Sequence, residues 1–381
     1  MNTTLKVAFA AAAATLLAFL PANATAANES AAVKTTVTPI AGKLFKEKRV
    51  PVQASVEATV TVPGGQTTIL PLKQTRFRYD TDMKFVPDNR VTPVCGDDRI
   101  NSQSDLANGV SFMVDLCPKS VVGTGTALIY LASLTGGPLE DPQMVLFNAG
   151  RNSRGEPAFK IYAYSKGTGV GVLMHGSLAA DGEMTVDVPV LAFDSAVGNF
   201  KFEVPGRGME VEDAREPDGF RTIKGLDPGY VRARCSTGQW TTNATLSLGK
   251  RDPSTGEEDG PTSVVDAPAF TDSCVGEKGR PRLVVTRKAF PKVLFAGRRA
   301  KFKVKVTNKG TASARKVALV ARGGVQASRQ IGKIPPGATR VIPINPRVKA
   351  PRGTKAKVTL VVKGAPRAGR TVKFSSRIRV R

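Results

Sequence analysis

Basic and apolar side chains alternate with a period of two through the C-terminal part of the chain. The clearest runs cover residues 301–306, 357–363 and 372–380. Successive side chains of a β-strand point to opposite faces of a sheet, so this pattern predicts strands with one apolar face and one cationic face. It also argues against a disordered basic arm, in which the charges would form blocks.

The same part of the chain differs sharply in charge from the rest. Residues 280–381 hold 29 Lys and Arg and no Asp or Glu, whereas the first 279 residues hold 27 basic and 31 acidic residues. Two glycines and a proline between residues 276 and 281 supply the breakers expected of a linker. We therefore predict a domain boundary near residue 280, with a larger domain over residues 50–279 and a basic domain over residues 280–381.

The basic domain is predicted to be a small β-sandwich. Further strands are predicted at residues 283–286, 316–321 and 340–344, with Gly-Gly and Pro-Pro-Gly turns between strands. Roughly six or seven strands in about 100 residues suit an immunoglobulin-like β-sandwich.

Three local motifs point to a family for this domain. They are V-x-N-x-G at residues 306–310, I-P-P-G at residues 334–337 and a final alternating strand. With these motifs, residues 295–381 resemble the CARDB or NEW3-type immunoglobulin-like modules of bacterial surface and secreted proteins. The resemblance implies a β-sandwich spacer or adhesion module, and it implies no catalytic residues.

The N-terminus predicts an exported protein. Lys6 precedes an apolar run over residues 7–20, which Pro21 ends before a series of small residues, so residues 1–26 fit a signal peptide cleaved after Ala24 or Ala26. At about 1.5 Å per residue the run spans roughly 21 Å, which is too short to cross a membrane. Residues 27–49 are then predicted to be a linker. The predicted location is secreted or extracellular, with cell-wall association and no transmembrane segment after cleavage.

The cysteines fit an oxidising compartment. Cys95 and Cys117 lie 22 residues apart, Cys235 and Cys274 lie 39 apart, and the chain has no C-x-x-C pair typical of a zinc or redox site. Three connectivities are possible, and we favour sequential pairing because it closes the shortest loops. Each such bridge would stabilise the fold by roughly 3–4 kcal/mol in the loop-entropy description.

The larger domain is also predicted to be all-β. About eleven strands separated by glycine-containing turns suggest one large sandwich or two abutting sheets, and no sustained helical period follows residue 26. The strands are predicted at residues 52–62, 68–79, 111–116, 127–134, 144–148, 159–164, 170–175, 184–190, 200–204, 230–235 and 241–248. The fold class predicted for the whole chain is all-β, a large disulfide-bonded β-sandwich followed by a smaller immunoglobulin-like β-sandwich.

The surroundings of the cysteines give a second resemblance. P-x-C at residues 93–95, C-P at 117–118 and C-S-T-G-Q-W at 235–240, with a closing Cys274, resemble a recurring group of secreted proteins of high-GC actinobacteria. The resemblance covers most of residues 50–279. It supports the sequential pairing of the cysteines and implies no activity.

Catalytic motifs are scarce. His175 is the one histidine, Ser177 follows it on the same strand face, and no G-x-S-x-G elbow occurs, so we interpret His175 as an ordinary strand residue. The glycine-rich segments lack the strand–loop–helix context of a nucleotide site, and the acidic clusters at residues 80–82, 97–98 and 257–259 lack the calcium-loop spacing. We predict no enzyme activity, no cofactor and no metal. A carboxylate pair in residues 50–279 stays open, because its separation is not visible in sequence.

The basic rows carry the prediction about partners. Side chains two residues apart on a strand lie about 6.6 Å apart on one face, so we expect the outward side of the sheet to be uniformly cationic. Like charges held this close repel, and an anionic polymer relieves the repulsion as it releases counterions. The residues predicted to bind a polyanion are Lys301, Lys303, Lys305, Lys373, Arg377 and Arg379.

An exported basic domain meets the anionic polymers of the cell envelope, so teichoic acid or acidic polysaccharide are the predicted partners. Specific nucleic-acid binding is not predicted, because aromatic residues that stack on bases are few. Solubility and protection of strand edges are an alternative explanation of the lysines. The predicted function is a secreted non-enzymatic envelope or extracellular protein, and the alternative is an exported hydrolase with a carboxylate-based site in residues 50–279.

Overall fold

The computed structural model describes residues 29–381 apart from residues 62–69, 132–137, 180, 190–194, 253, 256 and 366–371. The predicted signal peptide, residues 1–26, lies outside the described residues. Within the described ranges, no helix has the length and apolar character needed to cross a membrane.

The first domain consists mainly of one antiparallel sheet of 13 strands. In chain order the strands of this domain are β1 (Ser30–Pro39), β2 (Val50–Thr61), β3 (Leu72–Arg78), β4 (Met83–Phe85), β5 (Val121–Leu131), β6 (Gln143–Arg151), β7 (Pro157–Ser165), β8 (Val170–Leu178), β9 (Glu183–Asp187), β10 (Ser195–Val204), β11 (Met209–Glu212), β12 (Phe220–Ile223), β13 (Val231–Ala233), β14 (Gln239–Arg251) and β15 (Glu258–Ser273). The sheet order is β15-β14-β3-β9-β8-β7-β6-β5-β10-β2-β13-β4, and β1 pairs with β2. Strands β11 and β12 form a separate hairpin.

This sheet folds over on itself, and its two halves enclose the core. The Phe77 ring on β3 meets the Phe200 ring on β10 edge-on, with centroids 5.8 Å apart, although five strands separate β3 from β10 in the sheet. Strand β1 at one end lies close to β15 at the other. The predicted large β-sandwich is confirmed, and its two layers belong to one continuous sheet.

The predicted linker over residues 27–49 is wrong for its central part, because residues 30–39 form strand β1. β1 pairs with β2 along its whole length and buries Ala31, Val33 and Val37. The alternation is weak in sequence because small or polar residues share the inward face, including the buried Thr35.

The predicted strand at residues 111–116 is also wrong, because this segment lies in helix α1 (Gly109–Leu116). Val110, Met113 and Val114 are buried, and their spacing places them on one helix face against the outside of the sheet. A helix this short shows little more than two turns of periodicity, so its apolar residues resemble a strand core in sequence.

Both predicted disulfides are confirmed. Cys95 bonds to Cys117 at the end of α1, and Cys235 bonds to Cys274 beyond the end of β15. The first bridge links the C-terminal end of α1 to the segment that contains Cys95. The second links the region after β13 to the edge of the sheet. No described cysteine is free.

The second domain is a sandwich of two sheets, which confirms the predicted immunoglobulin-like β-sandwich. Its strands are β16 (Leu283–Ala289), β17 (Val293–Leu294), β18 (Phe302–Asn308), β19 (Ala314–Gly323), β20 (Val325–Ile334), β21 (Thr339–Ile344), β22 (Arg347–Val348), β23 (Lys355–Ala365) and β24 (Val372–Val380). The three-stranded sheet has the order β16-β18-β21, and the six-stranded sheet has the order β17-β24-β23-β19-β20-β22. Phe302 and Val304 from the first sheet are buried with Val358 and Leu360 from the second.

Each domain has its own hydrophobic core, and no described residue belongs to both cores. The core of the first domain includes residues up to Ala267, with Cys274 packed against it, and the core of the second begins at Leu283. The domains touch through Glu47, whose carboxylate accepts a hydrogen bond from the Ser313 N–H at 2.7 Å. This hydrogen bond lowers the pKa of Glu47.

Candidate functional site: a cationic sheet face

Two pairs of basic residues face each other directly across β23 and β24. Lys355 lies opposite Arg379, and Lys357 lies opposite Arg377. Residues directly opposite in an antiparallel pair share a face of the sheet, with Cβ atoms about 5 Å apart. All four side chains are exposed, while Ala356, Val358, Ile378 and Val380 between them are buried. The sequence therefore places the four charges on the outer face of the six-stranded sheet.

A fifth basic residue and two hydroxyls extend this face. Thr359 lies opposite Ser375 on β24 and opposite Arg322 on β19, and the Thr359 and Ser375 hydroxyl oxygens are 3.1 Å apart. We call the group Arg322, Lys355, Lys357, Arg377 and Arg379 the cationic face. Its small hydroxyl neighbours leave the charged groups open to solvent.

Among the described residues, no Asp or Glu side chain offsets this charge. The second domain contains no Asp or Glu, and across the described ranges none of the five residues of the cationic face forms an ion pair. Like charges directly opposite one another on a sheet are destabilising. The face therefore presents fixed, unpaired donors that repel one another in the free protein.

The structure separates the six residues predicted to bind a polyanion. Arg377 and Arg379 lie on the cationic face, whereas Lys301, Lys303 and Lys305 lie on or beside β18 in the other sheet. The outer faces of two packed sheets point away from each other, so these two groups face opposite sides of the domain. The backbone of Lys373 pairs with Val361, and the position of its side chain lies outside the described part of the structure.

The outer face around the β18 lysines is not uniformly cationic, contrary to expectation. Lys305 lies between Thr286 and the exposed Val341, and Lys303 lies opposite Pro343. The neighbouring strands β16 and β21, which come from other segments of the chain, carry apolar or hydroxyl residues at these positions. Alternation within β18 gave no information about them.

Sequence reasoning missed Lys355, Lys357 and Arg322 as members of the site. Lys357 stands in the alternating run at residues 357–363, so its exposure was predictable, but its register opposite Arg377 was not. A strand pattern gives the face of a residue and leaves open the neighbour across the ladder.

His175 lies in the middle of a strand ladder of the first domain. It is exposed on β8, opposite Lys160 on β7 and Asp187 on β9. Over the described residues it forms no hydrogen bond with Ser177 or Asp187, and Asp187 instead accepts one from the Gln74 amide at 2.7 Å. The geometry fits the interpretation of His175 as a strand residue.

The acidic clusters are engaged in structural contacts. Asp82 accepts hydrogen bonds at 2.6 Å from both Arg234 Nε and the Ser236 N–H. Burial opposes its ionisation, but these hydrogen bonds prevail and lower the pKa of Asp82. Asp97 pairs with Lys160 at 2.8 Å. Among the residues the structure places, no group of three or more His, Cys, Asp or Glu is arranged to hold a metal ion.

Comparison with known proteins bears mainly on the second domain. Residues 280–365 match the CARDB family, which confirms the resemblance found in the sequence for this domain. No curated protein matches the chain.

Solved structures resemble the chain only weakly. A red sea bream transglutaminase shares 9% identity over 92% of this chain, with a TM-score of 0.22. A Salmonella α2-macroglobulin reacted with methylamine shares 13% identity over 88% of this chain, with a TM-score of 0.22. The native E. coli α2-macroglobulin shares 10% identity over 93% of this chain, with a TM-score of 0.20. The alignments cover 31%, 34% and 32% of those chains, so the chain spans about a third of their length. At these TM-scores the likeness carries no argument about function.

Proposed function

We propose that this is a secreted, non-enzymatic β-sandwich protein whose CARDB-type domain binds anionic polymers of the cell envelope through the cationic face. The observation that carries the proposal is the direct pairing of Lys355 with Arg379 and of Lys357 with Arg377. The all-β fold, the two disulfides and the match of residues 280–365 to the CARDB family support an extracellular role.

The geometry favours a polymer with regularly spaced negative charges. Across the strands the paired charges start about 5 Å apart, and along each strand they repeat at about 6.6 Å. A flexible anionic chain can follow either direction and place a charge near each cation. Binding relieves the repulsion within the face and releases counterions from the polymer, and both effects favour the complex.

Counterion release sets the expected salt dependence. With about four contacts, the logarithm of the association constant falls against the logarithm of salt concentration with a slope of about −3. Raising the salt from about 50 mM to about 200 mM then weakens binding about 50-fold.

The test uses the full chain and immobilised polymers, with purified wall teichoic acid and polygalacturonate as the two anionic arms and dextran as the neutral arm. The variant Lys355→Gln, Lys357→Gln, Arg377→Gln, Arg379→Gln removes the paired charges. The matched control Lys288→Gln, Lys301→Gln, Lys303→Gln, Lys305→Gln removes the same charge from the other sheet, where all four side chains are also exposed.

Binding to either anionic polymer that falls in the first variant and persists in the control supports the cationic face. Equal losses in the two variants would show that only net charge matters and would refute the site. Binding to dextran, or binding that does not change with salt, would refute the electrostatic mechanism.

A further inference from the structure

A cleft of about 650 Å³ opens at one end of the first domain, and none of its lining residues belongs to the cationic face. It is lined by the residue before β2, by the segment from Tyr79 through β4, by the β6–β7 hairpin and by Leu178, Ala179, Asp181 and Gly182 between β8 and β9. Its lining includes Arg49, Lys84, Arg151 and Arg154 together with Tyr79 and Phe85. A volume of about 300–1,000 Å³ is typical of small-molecule sites.

The cleft concentrates positive charge in a domain that is otherwise slightly acidic. Four cations line it against two carboxylates, Glu156 and Asp181, while residues 1–279 as a whole carry more acidic than basic side chains. Glu156 accepts a hydrogen bond from the Asn152 amide at 2.8 Å, and Asp181 lies 3.8 Å from Arg78 outside the lining. The four lining cations form no ion pair within the described ranges.

Two of these cations are held in position by backbone carbonyls. Arg49 donates to the Thr81 oxygen at 2.7 Å and to the Asp82 oxygen at 3.0 Å, and Arg151 donates to the Gly155 oxygen at 2.6 Å. A guanidinium has five N–H donors, so each keeps donors free for a ligand. Burial and the nearby charge of Arg234 lower the pKa of Arg49, although the charge of Asp82 acts in the opposite direction.

The floor of the cleft is apolar. Tyr79, Met83 and Phe85 line the cleft, and the same three side chains line a small cavity of about 30 Å³ between the layers of the sheet. Phe85 is only half-buried, and its ring meets the Tyr230 ring edge-on at 6.2 Å. An aromatic or aliphatic group on Phe85 would cover this exposed surface, which favours binding by the hydrophobic effect.

We propose that this cleft binds a small organic anion that carries both a negative group and an apolar portion. The negative group, a phosphate or carboxylate, contacts Arg49, Arg151 and Arg154, and the apolar portion packs on Phe85. Lys84 at the rim adds long-range attraction. The site is independent of polymer binding, because it lies in the other domain.

The test is isothermal titration calorimetry of the full chain with phenyl phosphate, inorganic phosphate and benzyl alcohol as probes. The variant Arg154→Gln, Lys84→Gln removes two exposed cleft cations, and the control Lys119→Gln, Lys224→Gln removes two exposed cations elsewhere in the domain. We expect phenyl phosphate to bind more tightly than either other probe. The cleft variant should weaken it about tenfold or more, since charge-assisted hydrogen bonds are lost, while the control leaves it unchanged.

No detectable binding of phenyl phosphate at millimolar concentration would overturn the proposal. Equal weakening in the cleft and control variants would overturn the assignment to this cleft. Binding of benzyl alcohol as tight as that of phenyl phosphate would overturn the anionic part of the site, and equally tight inorganic phosphate would overturn the apolar part.

Discussion

Reversing one charge on the cationic face should stabilise the second domain and weaken polymer binding at the same time. Lys357 has three cationic neighbours: Arg377 directly opposite, Arg379 diagonally across and Lys355 two residues along the strand. The change Lys357→Glu replaces three repulsions by three attractions. Direct cross-strand charge pairs contribute about 0.2–1 kcal/mol each, so we expect a total gain of about 0.5–2 kcal/mol.

The matched control is Lys305→Glu on the other sheet. It changes the net charge by the same amount, but its directly opposite neighbours Thr286 and Val341 are uncharged. The basic residues beside it are Lys303 on its own strand and Lys288, which lies diagonally on β16. We expect a much smaller gain in stability there and no loss of polymer binding. Lys357→Glu, in contrast, should roughly halve the salt slope of polymer binding, because it removes one cation and neutralises a second.

The assay must report on the second domain alone. All five Tyr and the one Trp lie in the first domain, so intrinsic fluorescence of these residues does not follow the unfolding of the second. Amide hydrogen exchange of peptides from residues 355–365 and 372–380 in the full chain does. A gain of about 0.5–2 kcal/mol slows exchange by global opening about 2- to 30-fold at low salt, and the effect shrinks as the Debye length falls. Unchanged or faster exchange in Lys357→Glu, or equal loss of polymer binding in both variants, would refute the reasoning.

Three further predictions concern the first domain. Cys235→Ala with Cys274→Ala opens a loop of 39 residues and should lower the free energy of unfolding by about 3–4 kcal/mol in urea under non-reducing conditions; an unchanged midpoint would contradict this. The pKa of Asp82 is lowered from 3.8, so its stabilising contribution is present above that pH and is lost as the pH falls below it; Asp82→Asn should therefore flatten the acid limb of the stability curve measured by tryptophan fluorescence. A Cβ at Gly171 would overlap the Leu106 carbonyl oxygen, so Gly171→Ala should lower the thermal midpoint, whereas Gly155→Ala, which meets no atom within 4 Å but has a φ of +77°, should cost only backbone strain.

Strands in which apolar and polar residues alternate were predictable from the sequence. Strands without this alternation, such as β15, were not. β18 alternates without interruption and β24 alternates except at Ser376, so the positions of both strands and the exposed face of β18 followed from the sequence. β15 contains two prolines and many acidic residues, which argue against a strand. It tolerates them because it is an edge strand that pairs only with β14, so its prolines need not donate to a second neighbour.

The candidate site was predictable in kind and not in composition. Its charge, exposure and strand context followed from local sequence, because the sign and the face of a side chain are properties of its own strand. The pairing of β23 with β24 and with β19 decides which cations lie next to one another. β19 and β23 lie tens of residues apart in the chain. No local pattern fixes that register. The prediction from sequence therefore placed Arg377 and Lys305 in one site and omitted Lys357.

The position of the paired cations in the sheet bears on whether they protect a strand edge. Lysines that prevent aggregation belong on the outermost strands, where they block pairing with another chain. Lys355 and Lys357 instead lie on β23, an inner strand whose ladder with β24 includes both lysines and whose ladder with β19 begins at Val358. Of their two partners on β24, Arg379 pairs with Val293 of β17. The two lysines belong to an inner strand and so do not protect an outermost strand, and their direct pairing with the two arginines costs stability. Solubility alone would be served equally well by cations placed apart, so this arrangement supports a ligand whose negative charges offset the repulsion.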